Sequence, residues 1–264
     1  MKLTNSHWEI DGAKIAGMFG LQNGLLLNDF EAVALSLPAM TPDSMTSILT
    51  PGTINTPEGT RLVIGAGTGL GVAALLKCDC RYLAVPSEAG HIAIAAADPE
   101  EEEIFVAVER VSGRLTAETL ISGPGLERLH RARSKFANRA PDIQLTAAEI
   151  AAYAQHNPQG PEAATVQHFW RLSARYAGDM ALAFAARAGV FLAGGVWLKL
   201  LPMLDREDFR ACFQDKAPMR NMIADIRVAL LGDEYAVLRG LAQLAQRPED
   251  YAVDFHSRCW RKND

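Results

Sequence analysis

The sequence predicts an α/β fold, and three features carry this prediction. Pro161 opens the longest helical pattern of the chain. The apolar run after it, residues 190–193, is typical of a buried strand; Gly194 and Gly195 close it before another helical pattern. Upstream, three apolar runs between residues 61 and 86 are separated by turn residues and indicate a β-meander. Helix, strand, glycine pair and helix in this order are typical of α/β proteins.

The first elements of the chain place two polar residues at a strand end. The apolar run at residues 25–27 predicts a short buried strand. Asn28 and Asp29 follow it, and a helical pattern then continues until Pro38. Open α/β sheets bind their ligands at the carboxyl ends of strands. Asn28 and Asp29 are therefore candidate site residues on position alone.

Capping signals predict further helix boundaries. Pro99 after Asp98 begins a helix that we expect to reach about Val111. The acids at residues 100–103 suit the positive end of its dipole, so they need no ligand to explain them. Further boundaries are predicted by the capping box of Thr146 and Glu149, by Pro124, and at Leu204.

Composition and charge exclude several classes of protein. The chain has 264 residues, of which 49% are hydrophobic and 22% charged, as in a globular protein with a sizeable core. With 26 basic and 31 acidic side chains the net charge is −5, so no overall field attracts nucleic acid or an anionic membrane. The basic stretch at residues 128–139 is interpreted as a solvated helix face. We expect small-molecule substrates, no nucleic acid and no membrane.

The cysteines and the N-terminus favour a cytoplasmic protein. The first residues lack the apolar run of a signal peptide, and no apolar stretch is long enough to span a bilayer. The four cysteines form no CxxC pair and are too few to stabilise a chain of this size by disulfides. Cys78 and Cys80 could be a fragment of a metal site, but a hairpin turn between two strands is the preferred interpretation. We expect no metal site built by the protein.

Residues 65–71 carry four glycines at alternate positions, Gly65, Gly67, Gly69 and Gly71, around Thr68. Without side chains the backbone N–H groups can converge on a phosphate, and the threonine hydroxyl adds a donor. A dinucleotide fingerprint would need a helix next, and a Walker loop would need GK[ST]; neither is present. A phosphate-binding loop and a glycine-rich hairpin that another backbone approaches closely both remain open.

Three further side chains are candidates for binding the hydroxyl groups of a ligand. Glu88 and His91 lie three residues apart in a loop of small residues, and Glu118 lies in a short helical turn. A carboxylate accepts hydrogen bonds and an imidazole donates or accepts, which suits neighbouring hydroxyls. A histidine satisfied within the fold and a solvated glutamate are the structural alternatives. Gly194 and Gly195 would let a flat ring approach the backbone, or would form a tight strand–helix turn.

Five motifs occur in one order along the chain. They are NDF at 28–30, GAGTGLGVA at 65–73, SEAGH at 87–91, AETLISGPGL at 117–126 and GVFLAGGV at 189–196. Together they resemble the bacterial ATP-dependent glucokinase family, from about residue 5 to about residue 244. The resemblance implies an actin-like, ribonuclease H-like ATPase fold in which two α/β domains close around sugar and nucleotide. It also implies transfer of the γ-phosphoryl group of ATP to the 6-hydroxyl of glucose.

The resemblance implies roles for individual residues. Asp29 matches the catalytic base that takes the proton of the sugar 6-hydroxyl. Asn28, Glu88, His91 and Glu118 match groups that hydrogen-bond the glucose hydroxyls. The nucleotide contacts that it implies are Gly65, Gly67, Thr68 and Gly69 for phosphate, and Gly194 and Gly195 for adenosine. Mg²⁺ is expected to be carried by ATP, and a homodimer is a further expectation because related enzymes are often dimers.

The sequence departs from the family pattern in two places. The DxGGT phosphate loop is absent, and PGEGGH is replaced by PSEAGH, with Ser87 and Ala89 where glycines are usual. We interpret the chain as N-terminally truncated relative to the family. The domains expected are a small-domain remnant at 1–40, a large α/β domain at 41–231, and a C-terminal helix returning to the small domain, with a tail, at 232–264. Unpaired strand edges near residues 25–27 predict self-association.

Two functions from different classes follow from these observations. The first is a glucokinase-type phosphotransferase with Asp29 as general base. The second is a non-catalytic, sugar-binding remnant that acts as a sensor or interaction module, since the first phosphate loop is missing.

Overall fold

The computed structural model describes residues 10–51, 58–137, 144–233, 235–253 and 259–261. Its helices are α1 (Gly12–Phe19), α2 (Asp29–Ser36), α3 (Pro99–Ala107), α4 (Ala117–Leu120), α5 (Gly123–Phe136), α6 (Ala147–His156), α7 (Pro161–Ala183), α8 (Gly195–Leu200), α9 (Arg206–Gln214), α10 (Arg220–Ala224) and α11 (Ala236–Gln246). Its strands are β1 (Asn23–Leu25), β2 (Met45–Leu49), β3 (Arg61–Ala66), β4 (Leu70–Cys78), β5 (Arg81–Ser87), β6 (Gly189–Ala193), β7 (Val228–Leu231) and β8 (Cys259–Arg261). The predicted α/β class is confirmed.

One six-stranded sheet, in the order β2-β7-β6-β3-β4-β5, organises the fold. At its centre β3, β6 and β7 run parallel, while β3, β4 and β5 form an antiparallel meander. The predicted meander and the predicted strand after α7 are both confirmed. Gly65 lies opposite Gly71 and Ala66 opposite Leu70, so residues 67–69 form the turn between β3 and β4. This turn and Gly194, which follows β6, therefore lie at the carboxyl ends of the two adjacent strands β3 and β6.

Two layers of helices cover the sheet. On one face the core is built with α7 and the helices around it; on the other, α2 and α11 pack on each other and on the sheet. The apolar stripe predicted for α7 is buried at Val166, Phe169, Ser173, Tyr176, Ala177 and Met180, and Phe184 is partly buried. In the described ranges no helix combines the length and the apolar composition that crossing a membrane requires. The domain boundaries at residues 40 and 231 stay a prediction.

Most of the predicted helix starts are confirmed. Asn28 caps α2, Thr146 and Glu149 form the capping box of α6, and α7 begins at Pro161. In α5, Pro124 occupies the first turn.

Two predicted helix ends are wrong. The helix from Pro99 stops at Ala107, because Val108 turns to an extended conformation with its side chain buried. The helix after the glycine pair stops at Leu200 and gives way to a 3₁₀ turn, where Pro202 has no N–H to continue the α-helical bonds.

The strand predicted at residues 25–27 lies two residues earlier. β1 spans Asn23–Leu25 and pairs antiparallel with β8. Leu26 and Leu27 are half-buried and lead into Asn28, whose backbone is extended as a helix N-cap requires. The hairpin predicted at Cys78 and Cys80 is confirmed, with Asp79 in its turn at a φ of 53°.

One of the four acids of α3 does more than complement the helix dipole. Glu101 is buried, and its carboxylate accepts from Arg175 Nη1 at 2.7 Å, from the Ala97 N–H at 2.8 Å and from His168 Nε2 at 2.8 Å. Arg133 donates to Nδ1 of His168, which places the ring hydrogen on Nε2. Burial alone would raise the pKa of Glu101, but the hydrogen bonds from His168 and Arg175 outweigh it and lower the pKa to about 2.

This buried carboxylate makes stability depend on pH. A pKa lowered from 4.5 to about 2 on folding corresponds to about 3 kcal/mol. The stabilisation is complete above pH 4.5 and is lost as the pH falls through 2. Glu101→Gln should therefore lower the free energy of unfolding at pH 7 by about 3 kcal/mol, and the difference from wild type should narrow below pH 4.5. Urea titrations from pH 7 to 3.5 measure this, with the exposed Glu102→Gln as the matched control. A difference that does not change with pH would contradict it.

Gly240 permits the close packing of α11 on α2. A Cβ at this position would overlap the carbonyl oxygen of Ala32, which is backbone and cannot move aside cheaply. Gly240→Ala should lower the free energy of unfolding by roughly 1–3 kcal/mol through overpacking. Gly17→Ala in α1, where no heavy atom beyond the chain neighbours and the helix's own backbone lies within 4 Å of the new Cβ, should instead be neutral or stabilising by up to about 1 kcal/mol. Equal effects of the two substitutions in thermal unfolding would refute this packing role.

Candidate active site

An aromatic ring holds the start of α2 against the sheet. Phe30 lies over Gly65 and Gly71, which face each other across β3 and β4, and a Cβ on either glycine would overlap ring atoms. The two glycines thus form a flat patch for the ring. Because Asp29 and Phe30 occupy the first turn of α2, this contact sets the position of Asp29 relative to the turn at 67–69.

Backbone hydrogen bonds fix one atom of each polar side chain at this helix start. Asn28 Oδ1 accepts from the N–H groups of Phe30 and Glu31 at 2.9 and 3.3 Å, which leaves its amide NH₂ to donate elsewhere. Glu31 closes a capping box by accepting from the Asn28 N–H at 3.4 Å. Asp29 is exposed, and its Oδ1 accepts from the Phe30 N–H at 2.9 Å. Its second oxygen has no hydrogen-bond partner among the described residues.

Glu118 is fixed to the glycine hairpin in the same manner. Its Oε2 accepts from the Leu70 N–H at 2.9 Å, and a Cβ on Gly69 would lie 2.6 Å from that oxygen. Its Oε1 lies 3.9 Å from Nδ1 of His91, and Nε2 of His91 lies 3.9 Å from Oε2 of Glu88. The carboxylates of Glu88 and Glu118 therefore flank an exposed imidazole, at the end of the meander where the hairpin turns.

The loop of Glu88 and His91 keeps its shape without the two usual glycines. Neither Ser87 nor Ala89 has a positive φ, so a side chain at these positions costs no backbone strain. Ser87 Oγ accepts from the Ala89 N–H at 3.2 Å, and Ala89 is buried. The glycine that remains is required, because a Cβ on Gly90 would overlap the carbonyl oxygen of Leu70.

The turn between β3 and β4 leaves backbone donors free. The Gly67 N–H donates to the Gly69 carbonyl at 2.9 Å, and the Gly123 N–H donates to the Gly67 carbonyl at 2.8 Å. Within the described part of the chain, the N–H groups of Thr68 and Gly69 have no acceptor. No heavy atom beyond its chain neighbours lies within 4 Å of a Cβ built on Gly67. Free donors beside open space could meet a phosphate oxygen.

The remaining candidate glycines, Gly65, Gly194 and Gly195, lie in three different surroundings. Gly65 is buried under the Phe30 ring, so its missing side chain serves packing rather than a ligand. Gly194 has a φ of +102°, and its Cβ would overlap the Ala66 carbonyl oxygen, so here another backbone passes close. Gly195 is exposed, and no heavy atom beyond its chain neighbours would lie within 4 Å of its Cβ. Among these three, Gly195 is the one that leaves space for a flat ring.

Two participants, Phe30 and the Leu70 N–H, were not among the residues predicted from the sequence. A signal for Phe30 was present, since Gly65 and Gly71 lie in register on a predicted hairpin and require something flat above them. No signal pointed to Leu70, because its bond to Glu118 joins positions 48 residues apart. In the described ranges no group of three or more His, Cys, Asp or Glu side chains is arranged to hold a metal ion.

Comparison with known proteins identifies the family. The family profile described as Glucokinase matches residues 1–248. The chain belongs to the glucokinase family of ATP-dependent glucose phosphotransferases. It is 37% identical over 260 residues to a glucokinase of Sinorhizobium medicae, covering 98% of this chain and 76% of that protein. It is also 37% identical over 263 residues to a glucokinase of Mesorhizobium japonicum, covering 99% of this chain and 76% of the relative.

Solved structures of the family share the fold. A glucokinase from an Antarctic psychrotroph aligns with a TM-score of 0.76 at 27% identity, over 84% of this chain and 68% of the other. A glucokinase of Balamuthia mandrillaris in complex with glucose aligns with a TM-score of 0.71 at 24% identity, over 83% of this chain and 65% of the other, and supports the fold alone. The actin-like ATPase fold that the resemblance implied is confirmed.

The contact of Phe30 with its glycine patch is testable by a double-mutant cycle. Gly71→Ala should lower the free energy of unfolding by roughly 1–3 kcal/mol, because its Cβ overlaps the ring. Phe30→Ala should lower the free energy of unfolding by roughly 2–4 kcal/mol. It should also lower kcat, because Asp29 is no longer held in position. In the Phe30→Ala background Gly71→Ala should cost under about 0.5 kcal/mol.

Urea denaturation and steady-state kinetics of the four proteins measure this cycle. Gly67→Ala, whose Cβ enters open space, is the control for stability. Additive costs of the two substitutions would show that the ring and Gly71 act independently.

Proposed function

We propose that this chain transfers the γ-phosphoryl group of ATP to the 6-hydroxyl of glucose, with Asp29 as general base. The observation that carries the proposal is the exposed Asp29 carboxylate. The Phe30 N–H holds one of its oxygens, and the Phe30 ring lies over the glycine hairpin. A carboxylate with a second, available oxygen suits proton transfer from an alcohol during its attack on phosphorus.

The sugar hydroxyls would be held by groups that the fold leaves partly unused. The Asn28 amide can donate, because its oxygen is committed to the helix cap. Glu118 offers Oε1 while the Leu70 N–H holds Oε2, and His91 and Glu88 lie next to it. Donors and acceptors that are already oriented lose little freedom when a sugar binds.

ATP would lie along the turn at residues 67–69 and the start of α8. The free N–H groups of Thr68 and Gly69 and the open space at Gly67 suit phosphate oxygens, and the open space at Gly195 suits the adenosine. Gly65 is left out of these contacts, because Phe30 covers it. Mg²⁺ enters with ATP as part of the substrate, bound to its phosphates, and neutralises their charge.

The reaction then needs mainly alignment. The 6-oxygen of glucose forms its bond to the γ-phosphorus as the bond to the β,γ-bridging oxygen breaks and ADP leaves. The 6-hydroxyl proton passes to Asp29. Positioning and charge stabilisation supply most of the rate enhancement in such transfers.

We also propose a cytoplasmic location, since Cys78, Cys80 and Cys212 are free thiols. The homodimer stays a prediction.

Substitution of the base tests this function. Asp29→Asn keeps an oxygen to accept from the Phe30 N–H, so the fold should be retained, but it removes the proton acceptor. We expect kcat to fall by about 10²–10⁴-fold with little change in glucose affinity. A coupled ADP assay and glucose calorimetry measure the two quantities, and the exposed Asp43→Asn is the control. Unchanged kcat in Asp29→Asn rejects the base, and a wild-type chain that binds glucose without turnover favours a sugar-binding module.

A further inference from the structure

The sheet face that Phe30 covers carries a cavity at its opposite end. The cavity measures about 540 Å³ and lies where β3, β6 and β7 begin. Gly65, under Phe30, lies four residue steps after Arg61 at the start of β3, which is roughly 13 Å of strand. The cavity is therefore separate from the candidate active site.

Three cationic side chains line this cavity: Arg61 at the start of β3, Lys77 near the end of β4, and Arg227 immediately before β7. Arg61 pairs with Gly189 in the register of β3 and β6, and the carbonyl of Arg227 accepts from the Val190 N–H. The two arginines thus flank the first residue of β6.

The side chains of the two arginines pack against aromatic rings and a glycine rather than pairing with acids. The Arg227 guanidinium lies 5.0 Å from the centre of the Phe191 ring, and that of Arg61 lies 5.8 Å from the centre of the Tyr82 ring. Gly189 has a φ of +123°, and a Cβ there would lie 2.8 Å from Cγ of Arg227. The glycine therefore makes room for the arginine side chain.

Among the described residues, neither arginine has an anionic partner. Glu58 and Asp79 also line the cavity, yet within the described residues no carboxylate forms an ion pair with Arg61, Lys77 or Arg227. Burial and the charge of Arg61 lower the pKa of the Arg227 guanidinium. Two adjacent guanidinium groups without an acid repel each other until an anion lies near both.

We propose that this cavity binds a small organic anion, with its phosphate or carboxylate group between Arg61 and Arg227. Guanidinium forks bind both kinds of oxyanion in bidentate fashion. The apolar part of the ligand packs on Met40, Met45 and Leu75, which line the same cavity. The site is thus a second, non-catalytic ligand site on this kinase fold.

Calorimetry with three probes tests the site. Phenyl phosphate, benzoate and inorganic phosphate are titrated into the full chain saturated with glucose and a non-hydrolysable ATP analogue. We expect phenyl phosphate or benzoate to bind, and phenyl phosphate to bind more tightly than inorganic phosphate because of its apolar part. The preferred probe identifies the oxyanion class. Absence of binding by both organic probes at millimolar concentration overturns the proposal.

Paired variants locate the binding. Arg61→Gln/Arg227→Gln should weaken it at least tenfold, whereas Arg110→Gln/Arg114→Gln, two exposed arginines with the same change in charge, should leave it unchanged. Equal affinity in the first pair overturns the proposal. If that pair does not fold, Arg61→Lys/Arg227→Lys keeps the charge and removes the forks. This second pair should weaken binding several-fold, and unchanged affinity there would also reject it.

Discussion

The site depends on the contact between one phenylalanine ring and two glycines. Phe30 belongs to the turn of α2 that carries the catalytic candidate Asp29, while Gly65 and Gly71 belong to the strands that end in the phosphate-binding candidate turn. A ring resting on bare backbone has little freedom to shift, because interiors are close-packed. Through this contact the candidate base and the candidate phosphate-binding turn, which lie about 40 residues apart in the chain, keep one geometry.

The polar groups of the site share a further property. Asn28, Asp29 and Glu118 each commit one side-chain oxygen to a backbone N–H and keep another atom available. Such groups are already oriented when a ligand arrives, so binding costs little rotamer freedom.

Charge balance separates the structural from the ligand-directed ionic groups of this fold. Glu101 is buried with Arg175 and His168, and every charge in that cluster has a partner. Arg61 and Arg227 are seated on rings and have no acid within the described chain. A cluster of paired charges stabilises the helical layer. Like charges that have no acid beside them can instead attract an anionic ligand into the cavity they line.

The sequence by itself determined the α/β class, the meander, most helix starts and the family, because hydrophobic period, capping residues and motif order are local properties. It also pointed to Asn28, Asp29 and Glu118 as residues of one site. Only the tertiary structure decided which side-chain oxygen of each residue bonds to the backbone and which atom remains available. It also decided that Gly65 lies under a ring while Gly67 lies beside open space. A glycine shows only that a side chain is absent; what fills the space comes from distant segments, and their meeting depends on sheet register and helix packing.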